Sequence, residues 1–409
     1  MAYFRKRGAF WHYTVEIGID PKTGKRKQQS KGGFKTKKEA QLAAAVIEQE
    51  TAQGTYVKEK NITFEEFSKQ WLEIYMNTGK VKISTIRVRE HEIAKLMPYF
   101  AKMKMNSIKK TDYQNALNDL KKNGKKVIET NENNEKITKN ESLSESTLSG
   151  VNSTGKMIFK KAVELDIIKS NPTEFAYVPK TNKTVEEIEA EEERVKYLEK
   201  EQLALFLETA KEHGLDQDYT IFLLLSYTGM RTGELCALKW KDIDFEDQTI
   251  SITKTYYNPK NNVTDYRLLT PKTENSKRVI EIDEDVIDQL HRHRHEQNRF
   301  KMENRLEYHD ADFVIIKKNK YPGYPEIIKT IENRMRRLLK IANLNTDLTP
   351  HSLRHTHTSL LAELKVGLQE IMDRLGHKDD DTTRNVYLHV TKTKKKEASQ
   401  KFAQLMRSL

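Results

Sequence analysis

The chain has 409 residues, more than one ordinary core holds, so two or three domains are expected. It is 36% hydrophobic and 32% charged, no run approaches the roughly 18 apolar residues of a membrane span, and the basic start with Arg5, Lys6 and Arg7 lacks the apolar region of a secretory signal. Lys and Arg number 72 against 60 Asp and Glu, a net charge of +12 that favours a polyanion as partner, nucleic acid before membrane.

Residues 1–60 are the most basic stretch, with 13 Lys and Arg against 6 Asp and Glu. Trp11 to Ile17 and Lys25 to Ser30 read as strands around the turn Asp20-Pro21-Lys22-Thr23-Gly24, where Pro21 presets φ and Gly24 permits a positive one. Gly32-Gly33 is expected to close the second strand. A third strand falls at Ala2 to Arg7 or around Phe34. Thr36 and Glu39 have capping-box spacing for a helix carrying Ala40, Leu42, Ala43 and Ile47. A small sheet on one helix suits DNA binding, with Arg5, Lys6 and Arg7 as contacts; an accessory ββα module is the plainer reading.

Residues 62–178 read as helical. Thr63 with Glu66 is a second capping box, followed at helical spacing by Phe64, Phe67, Trp71, Ile74 and Tyr75. Ser84 and Thr111 start further helices, and Lys82, Arg87 and Arg89 are candidate DNA contacts. Asn123 to Ser142 is polar, a long loop or a hairpin. Thr147 to Ile168 is helical and stops before Asn171-Pro172. A DNA-binding helical unit and a plain helical linker domain both fit. Residues 179–196 form a linker, with six glutamates in the eight positions from Glu186 to Glu193.

Residues 197–409 form the largest unit. Helical patterns cover Leu203 to Ala210, Tyr219 to Tyr227, Gly233 to Leu238, Val286 to Phe300, Ile327 to Ala342, His351 to Leu364 and Leu368 to Leu375. Thr249 to Thr255 and Lys277 to Ile282 read as two strands of a β-ribbon. The single cysteine, Cys236, lies in an apolar pattern with Leu235 and Leu238, as a small core residue does. The fold class is mainly α with small β-sheets (α+β).

Four motifs in this unit carry chemistry. In Leu348-Thr349-Pro350-His351-Ser352-Leu353-Arg354-His355, Thr349 is a good N-cap and Pro350 a good first helical residue. His351 and Arg354, three apart, share a face near a helix N-terminus, which suits a phosphate. In Thr228-Gly229-Met230-Arg231-Thr232-Gly233-Glu234-Leu235, Arg231 sits at a helix–helix junction and Glu234 can brace the turn. Thr270 to Arg278 puts Lys272 on a polar turn between the two strand candidates. Finally, Leu375-Gly376-His377 precedes Thr382-Thr383-Arg384-Asn385-Val386-Tyr387-Leu388-His389. Each alone has a bland explanation: a solvated cation, a structural histidine, a core tyrosine.

Together and in this order, TGMRTGEL, PKTENSKR, HSLRHTH and LGHKDDDTTRNVYLHV resemble the catalytic domain of tyrosine recombinases, nearest to integrases of phages and conjugative transposons. The resemblance is strong over residues 197–395 and weaker before them. It implies an arm-type DNA-binding ββ(β)α domain, a core-binding helical domain, and a mixed α/β-ribbon catalytic domain. The catalytic set it implies is Arg231, Lys272, His351, Arg354, His377 and Tyr387, with Tyr387 as nucleophile forming a 3′-phosphotyrosine. Lys277 and Lys254 compete with Lys272 for the lysine role. Cleavage without a metal needs cations on the nonbridging oxygens, for which Arg231 and Arg354 are suited, with His377 adding a hydrogen bond. His351 is the candidate for proton handling and Lys272 for the general acid on the departing 5′-hydroxyl.

The implied partners are double-stranded DNA at core and arm sites, four protomers on that DNA, and an excisionase or host DNA-bending protein, all in the cytoplasm of a bacterial host. No cofactor, metal or ATP is implied. A zinc site from His351, His355 and His357 lacks the HExxH pattern, and His291, His293 and His295 alternate and so do not share a helix face. The competing functions are a type IB topoisomerase, against which the basic N-terminal unit argues, and a catalytically silent DNA-binding regulator, against which the filled catalytic set argues. The tail Thr391 to Leu409 has an apolar helical pattern at Phe402, Leu405 and Met406 that docks either on its own domain or on a neighbouring protomer.

Overall fold

A computed structural model describes every residue except 1, 20–23, 54–60, 80, 131–135, 182–183, 187–196, 272–275, 377–380, 382, 389–405 and 408–409. Lys272, His377, most of the linker and nearly all of the tail pattern therefore lie outside the described residues. The chain forms two compact units, Met1–Asn182 and Lys183–Leu409.

The first unit opens with an antiparallel sheet of β1 (Tyr3–Arg7), β2 (Phe10–Ile19) and β3 (Arg26–Phe34), in that order. The third strand is thus Tyr3–Arg7. The glycine pair does not close β3, which continues through Gly32 and Gly33 to Phe34. A Cβ on Gly32 would overlap the imidazole of His12 on the neighbouring strand, and the register shifts between Trp11 and His12. The glycines thus serve a bulge, not a strand end. Helix α1 (Lys37–Ala52) starts with the expected box: Glu39 N donates to Thr36 Oγ1 (3.2 Å), and Thr36 N donates back to Glu39 Oε2 (3.4 Å). Ala40 and Ala44 bring α1 close enough to bury Tyr13 and Val15 of the sheet.

Four helices follow: α2 (Phe64–Met76), α3 (Ile83–Phe100), α4 (Lys110–Asn123) and α5 (Glu145–Glu164). Phe64, Phe67, Trp71, Leu96, Phe100, Tyr113, Leu117 and Phe159 fill the space between them. Between α4 and α5 the polar stretch resolves into an antiparallel hairpin, β4 (Lys125–Thr130) with β5 (Lys136–Glu141).

The second unit contains α6 (Lys200–His213), α7 (Asp218–Thr228), α8 (Thr232–Ala237), β6 (Ile243–Asp244), β7 (Thr249–Ile252), β8 (Thr255–Tyr257), β9 (Arg267–Leu269), β10 (Arg278–Glu281), α9 (Glu284–Glu303), α10 (Ile328–Ile341), α11 (Pro350–Glu363) and α12 (Leu368–Leu375). Residues 383–388 are again helical. Helix α7 is apolar on every side, with Ile221, Phe222, Leu224 and Leu225 buried, as a central helix must be.

The ribbon differs from expectation. β7 pairs with β10 as read, but also with β6, and the sequence between them makes a separate hairpin of β8 and β9. The segment carrying Lys272 therefore joins β9 to β10 rather than closing a simple turn. Cys236 is fully buried, and burial pushes its thiol well up. Of the alternating histidines, His293 is buried and its Nε2–H donates to Val314 O (2.8 Å), while His291 packs on Phe245.

Candidate active site

The site is built where two helices end. Helix α7 stops at Gly229, in the left-handed region at φ 62°. A Cβ there would lie 2.7 Å from Leu375 Cδ2 and 2.8 Å from the His357 ring, so both backbone and space demand glycine. The sharp exit makes Arg231 the N-cap of α8. Its backbone N–H donates to Glu234 Oε2 (2.9 Å) and its Nη1 to Glu234 Oε1 (2.9 Å). The brace expected of Glu234 is therefore present.

Glu234 is buried, and it also accepts from Arg278 Nη2 at Oε2 (2.8 Å). Burial alone would raise its carboxyl; the hydrogen bonds and charge of Arg278, joined by those of Arg231, outweigh it and hold the group below the usual carboxylate range. A depressed folded-state value stabilises above the unfolded value, about 4.3, and that contribution is lost as pH falls through the folded one. Melting curves of the second unit from about pH 7 to about pH 3 should drop steeply at the acid end. Glu234→Gln should lower the whole curve and flatten that drop; parallel curves would refute the assignment.

The second helix end belongs to α12. Arg354, on α11, is 2% exposed. Its Nη1 donates to Gly229 O (2.6 Å) and its Nη2 to Leu375 O (2.7 Å). One guanidinium thus caps the terminal carbonyls of α7 and α12, where the helix dipoles favour a cation. His351, in the first turn of α11, is exposed, with its ring edge-on to His355 at 4.8 Å between centroids. His351 and Arg354 are on one helix, but in different surroundings.

Tyr387 is half-buried and packs on the cluster of Ala362, Ile371 and Leu375. Leu375, a member of that cluster, also gives its carbonyl to Arg354. Residues adjoining positions 272–275 and 377–380 also meet. Arg278 Nη1 donates to Ser276 O (3.2 Å), and Arg278 Nε donates to Arg374 O (2.9 Å). Gly376 lies so near that an added Cβ would be 3.1 Å from Arg278 Cδ. Lys254, the alternative lysine, is paired with Asp242 (Nζ to Oδ1, 2.6 Å).

Two residues here have roles that the sequence reading did not assign. Nothing in the spacing separates Arg278 from its neighbour Lys277. His357 is buried: its Nδ1–H donates to Ser226 O (3.1 Å), and its Nε2 accepts from Arg374 Nε (3.3 Å). Burial, with the adjacent Arg374 charge, pulls the imidazole down to about 3, so it is neutral. Among the described residues no group of three or more His, Cys, Asp or Glu is arranged for a metal ion.

The candidate DNA contacts are dispersed over the first unit. Strand alternation puts Arg5 and Arg7 on the face of Tyr3, His12, Thr14 and Ser30, away from α1, and Lys6 on the side of Phe4 and Tyr13. Lys82 is the N-cap of α3. Arg87 Nε donates to His91 Nε2 (3.3 Å). Arg89 is turned inward, and its Nη1 donates to Glu92 (2.8 Å) and Thr154 (2.8 Å).

Known proteins resemble this chain in sequence and fold. Residues 196–394 match the phage integrase family, residues 2–51 an arm DNA-binding domain, and residues 63–121 the N-terminal SAM-like domain of phage integrases. The integrase of Staphylococcus phage L54a is 32% identical over 365 residues, covering 85% of this chain and 94% of that protein. The Tn1549 transposon integrase, solved with transposon right end DNA, has the same fold with a TM-score of 0.59 at 23% identity, over 83% of this chain and 100% of that one. A lambda integrase tetramer bound to a Holliday junction superposes with a TM-score of 0.52 at 16% identity, over 94% of each chain. With a close relative along nearly its whole length and the four motifs inside the matched region, the chain belongs to the phage integrase family of tyrosine-type site-specific recombinases.

Proposed function

We propose that this recombinase cuts and rejoins double-stranded DNA with Tyr387 as its nucleophile. Tyr387 Oη attacks the scissile phosphorus, the bond to the 5′ oxygen breaks, and that oxygen leaves carrying a proton as a free hydroxyl. The product is a 3′-phosphotyrosine. Attack by a 5′-hydroxyl from the same or another strand restores the diester and returns the phenol, so no external energy source is consumed. Arg231 and Arg354 stabilise the nonbridging oxygens, and His377 donates to the same phosphate. His351 handles the phenol proton, and Lys272 protonates the leaving oxygen.

One observation carries this reading. Tyr387 packs on the cluster that contains Leu375, whose carbonyl is held by Arg354, whose other nitrogen holds Gly229 O, two residues before Arg231. This nearness of Tyr387, Arg354 and Arg231 to the ends of α7 and α12 supports assigning them to one phosphate.

We assign residues 1–60 to arm-site DNA, 62–178 to core-site DNA and 197–409 to catalysis, joined by the linker 179–196. The open sheet face with Arg5 and Arg7 supports the first assignment. The lambda relative was captured as a tetramer on a Holliday junction, and we extend four-protomer assembly to this chain. The product is integration and excision of a mobile element in the cytoplasm of a bacterial host, aided by an excisionase or a host DNA-bending protein. No helix among the described residues is long and apolar enough to cross a membrane.

The test is a nicked duplex bearing the ends of the element that encodes the protein. A 5′-end label on the cut strand should migrate with the protein on a denaturing gel, and the released strand should begin with a 5′-hydroxyl. Absence of the adduct would remove the enzymatic reading. Joining of two such duplexes, without relaxation of a plasmid lacking the site, separates the protein from a type IB topoisomerase.

A further inference from the structure

We infer that Arg278 is a positioning residue for strand cleavage, one buried guanidinium that sets the orientation of Arg231 and preserves its positive charge toward a bound phosphate. The inference rests on the active-site reading above. The Arg278 side chain is 5% exposed and each of its three nitrogens donates a hydrogen bond. Nη2 and Nη1 donate to Glu234 Oε2 (2.8 Å) and Oε1 (3.4 Å), Nη1 also to Ser276 O (3.2 Å), and Nε to Arg374 O (2.9 Å). Glu234 Oε1 in turn accepts from Arg231 Nη1 (2.9 Å).

Two physical consequences follow. The first is geometric. Glu234 is the clamp on Arg231, and Arg278 holds both oxygens of that clamp while tying it to β10, to the end of α12 and to the segment entering β10. Without Arg278 the carboxylate loses its tie to β10 and to the end of α12, and the position of the Arg231–Glu234 pair is less tightly set. The second is electrostatic. Arg231 and Glu234 alone sum to zero charge as seen from a phosphate. Adding Arg278 leaves the triad at +1, in a region where burial weakens solvent screening. An apolar side chain in its place would support packing but supply neither effect.

The test compares adduct formation on two nicked duplexes, one with the natural phosphodiester at the cut and one with an uncharged methylphosphonate there. A neutral linkage has less need of cationic stabilisation. Arg231→Ala serves as the benchmark and should lose much more activity on the diester than on the methylphosphonate. Arg278→Gln should follow the same pattern, losing roughly 10²-fold on the diester and under about 10-fold on the methylphosphonate. Arg278→Lys, which keeps the charge but not the forked geometry, should fall between Arg278→Gln and wild type on the diester.

Equal losses on both substrates, or no loss in either Arg278 variant, would overturn the inference while Arg231→Ala still discriminates. If Arg231→Ala itself loses equally on both, the active-site reading fails, and the inference with it.

Discussion

Tyr387→Phe should abolish the covalent DNA adduct, a loss of at least about 10⁴-fold in single-turnover cleavage, the scale expected when a nucleophile is removed. Melting temperature and DNA affinity should stay near wild type. The substitution keeps the aromatic ring that packs on Ala362, Ile371 and Leu375 and removes only the hydroxyl, so the stability change should be within about 1 kcal/mol. The separation of the two readouts is what makes the experiment informative. A tyrosine that merely fills a groove would give a Phe variant with normal chemistry. An adduct at an undiminished rate would move the nucleophile elsewhere and dissolve the reading of this site.

The second large effect is expected at Arg354. Arg354→Lys keeps the charge but replaces a forked donor with a single ammonium, which cannot span the carbonyls of Gly229 and Leu375. Leaving one buried carbonyl unpaired costs about 1–3 kcal/mol, and the end of α12 loses its tie to α7. Urea unfolding should therefore show the second unit destabilised by about that amount, and adduct formation should fall by a further factor of about 10²–10³, the range seen when one preorganised donor is lost. A surface arginine replaced by lysine changes stability by less than about 0.5 kcal/mol. An unchanged unfolding midpoint would show that Arg354 is not the double cap described here.

The parts legible from sequence were those whose chemistry is local. Thr36 with Glu39 and Thr63 with Glu66 begin helices because each box closes within four residues. The apolar α7, the stop at Gly229 and the brace of Glu234 were readable for the same reason. The hairpin of β8 and β9 was not, since strands of three residues each carry no alternation to detect. β3 ran past its glycines because a bulge against His12, a partner 20 positions away, outweighed their local preference. Arg354 was identified by motif, but its burial was not: it depends on carbonyls 125 and 21 residues distant. His357 and Arg278 are similar cases, with bonds to Ser226 and Glu234 across the fold. Spacing alone carries no record of such contacts.

The double cap has a consequence for how this protein can diverge. Arg354 grips main-chain oxygens, which every amino acid supplies, so its two bonds ask nothing of the side chains of α7 and α12 beyond the packing that keeps those helix ends in place. The exit from α7 asks more: at Gly229 any added carbon would push on Leu375 and His357 together. Variation in descendants of this chain should thus follow core packing along both helices and be narrowest at the bend between α7 and α8.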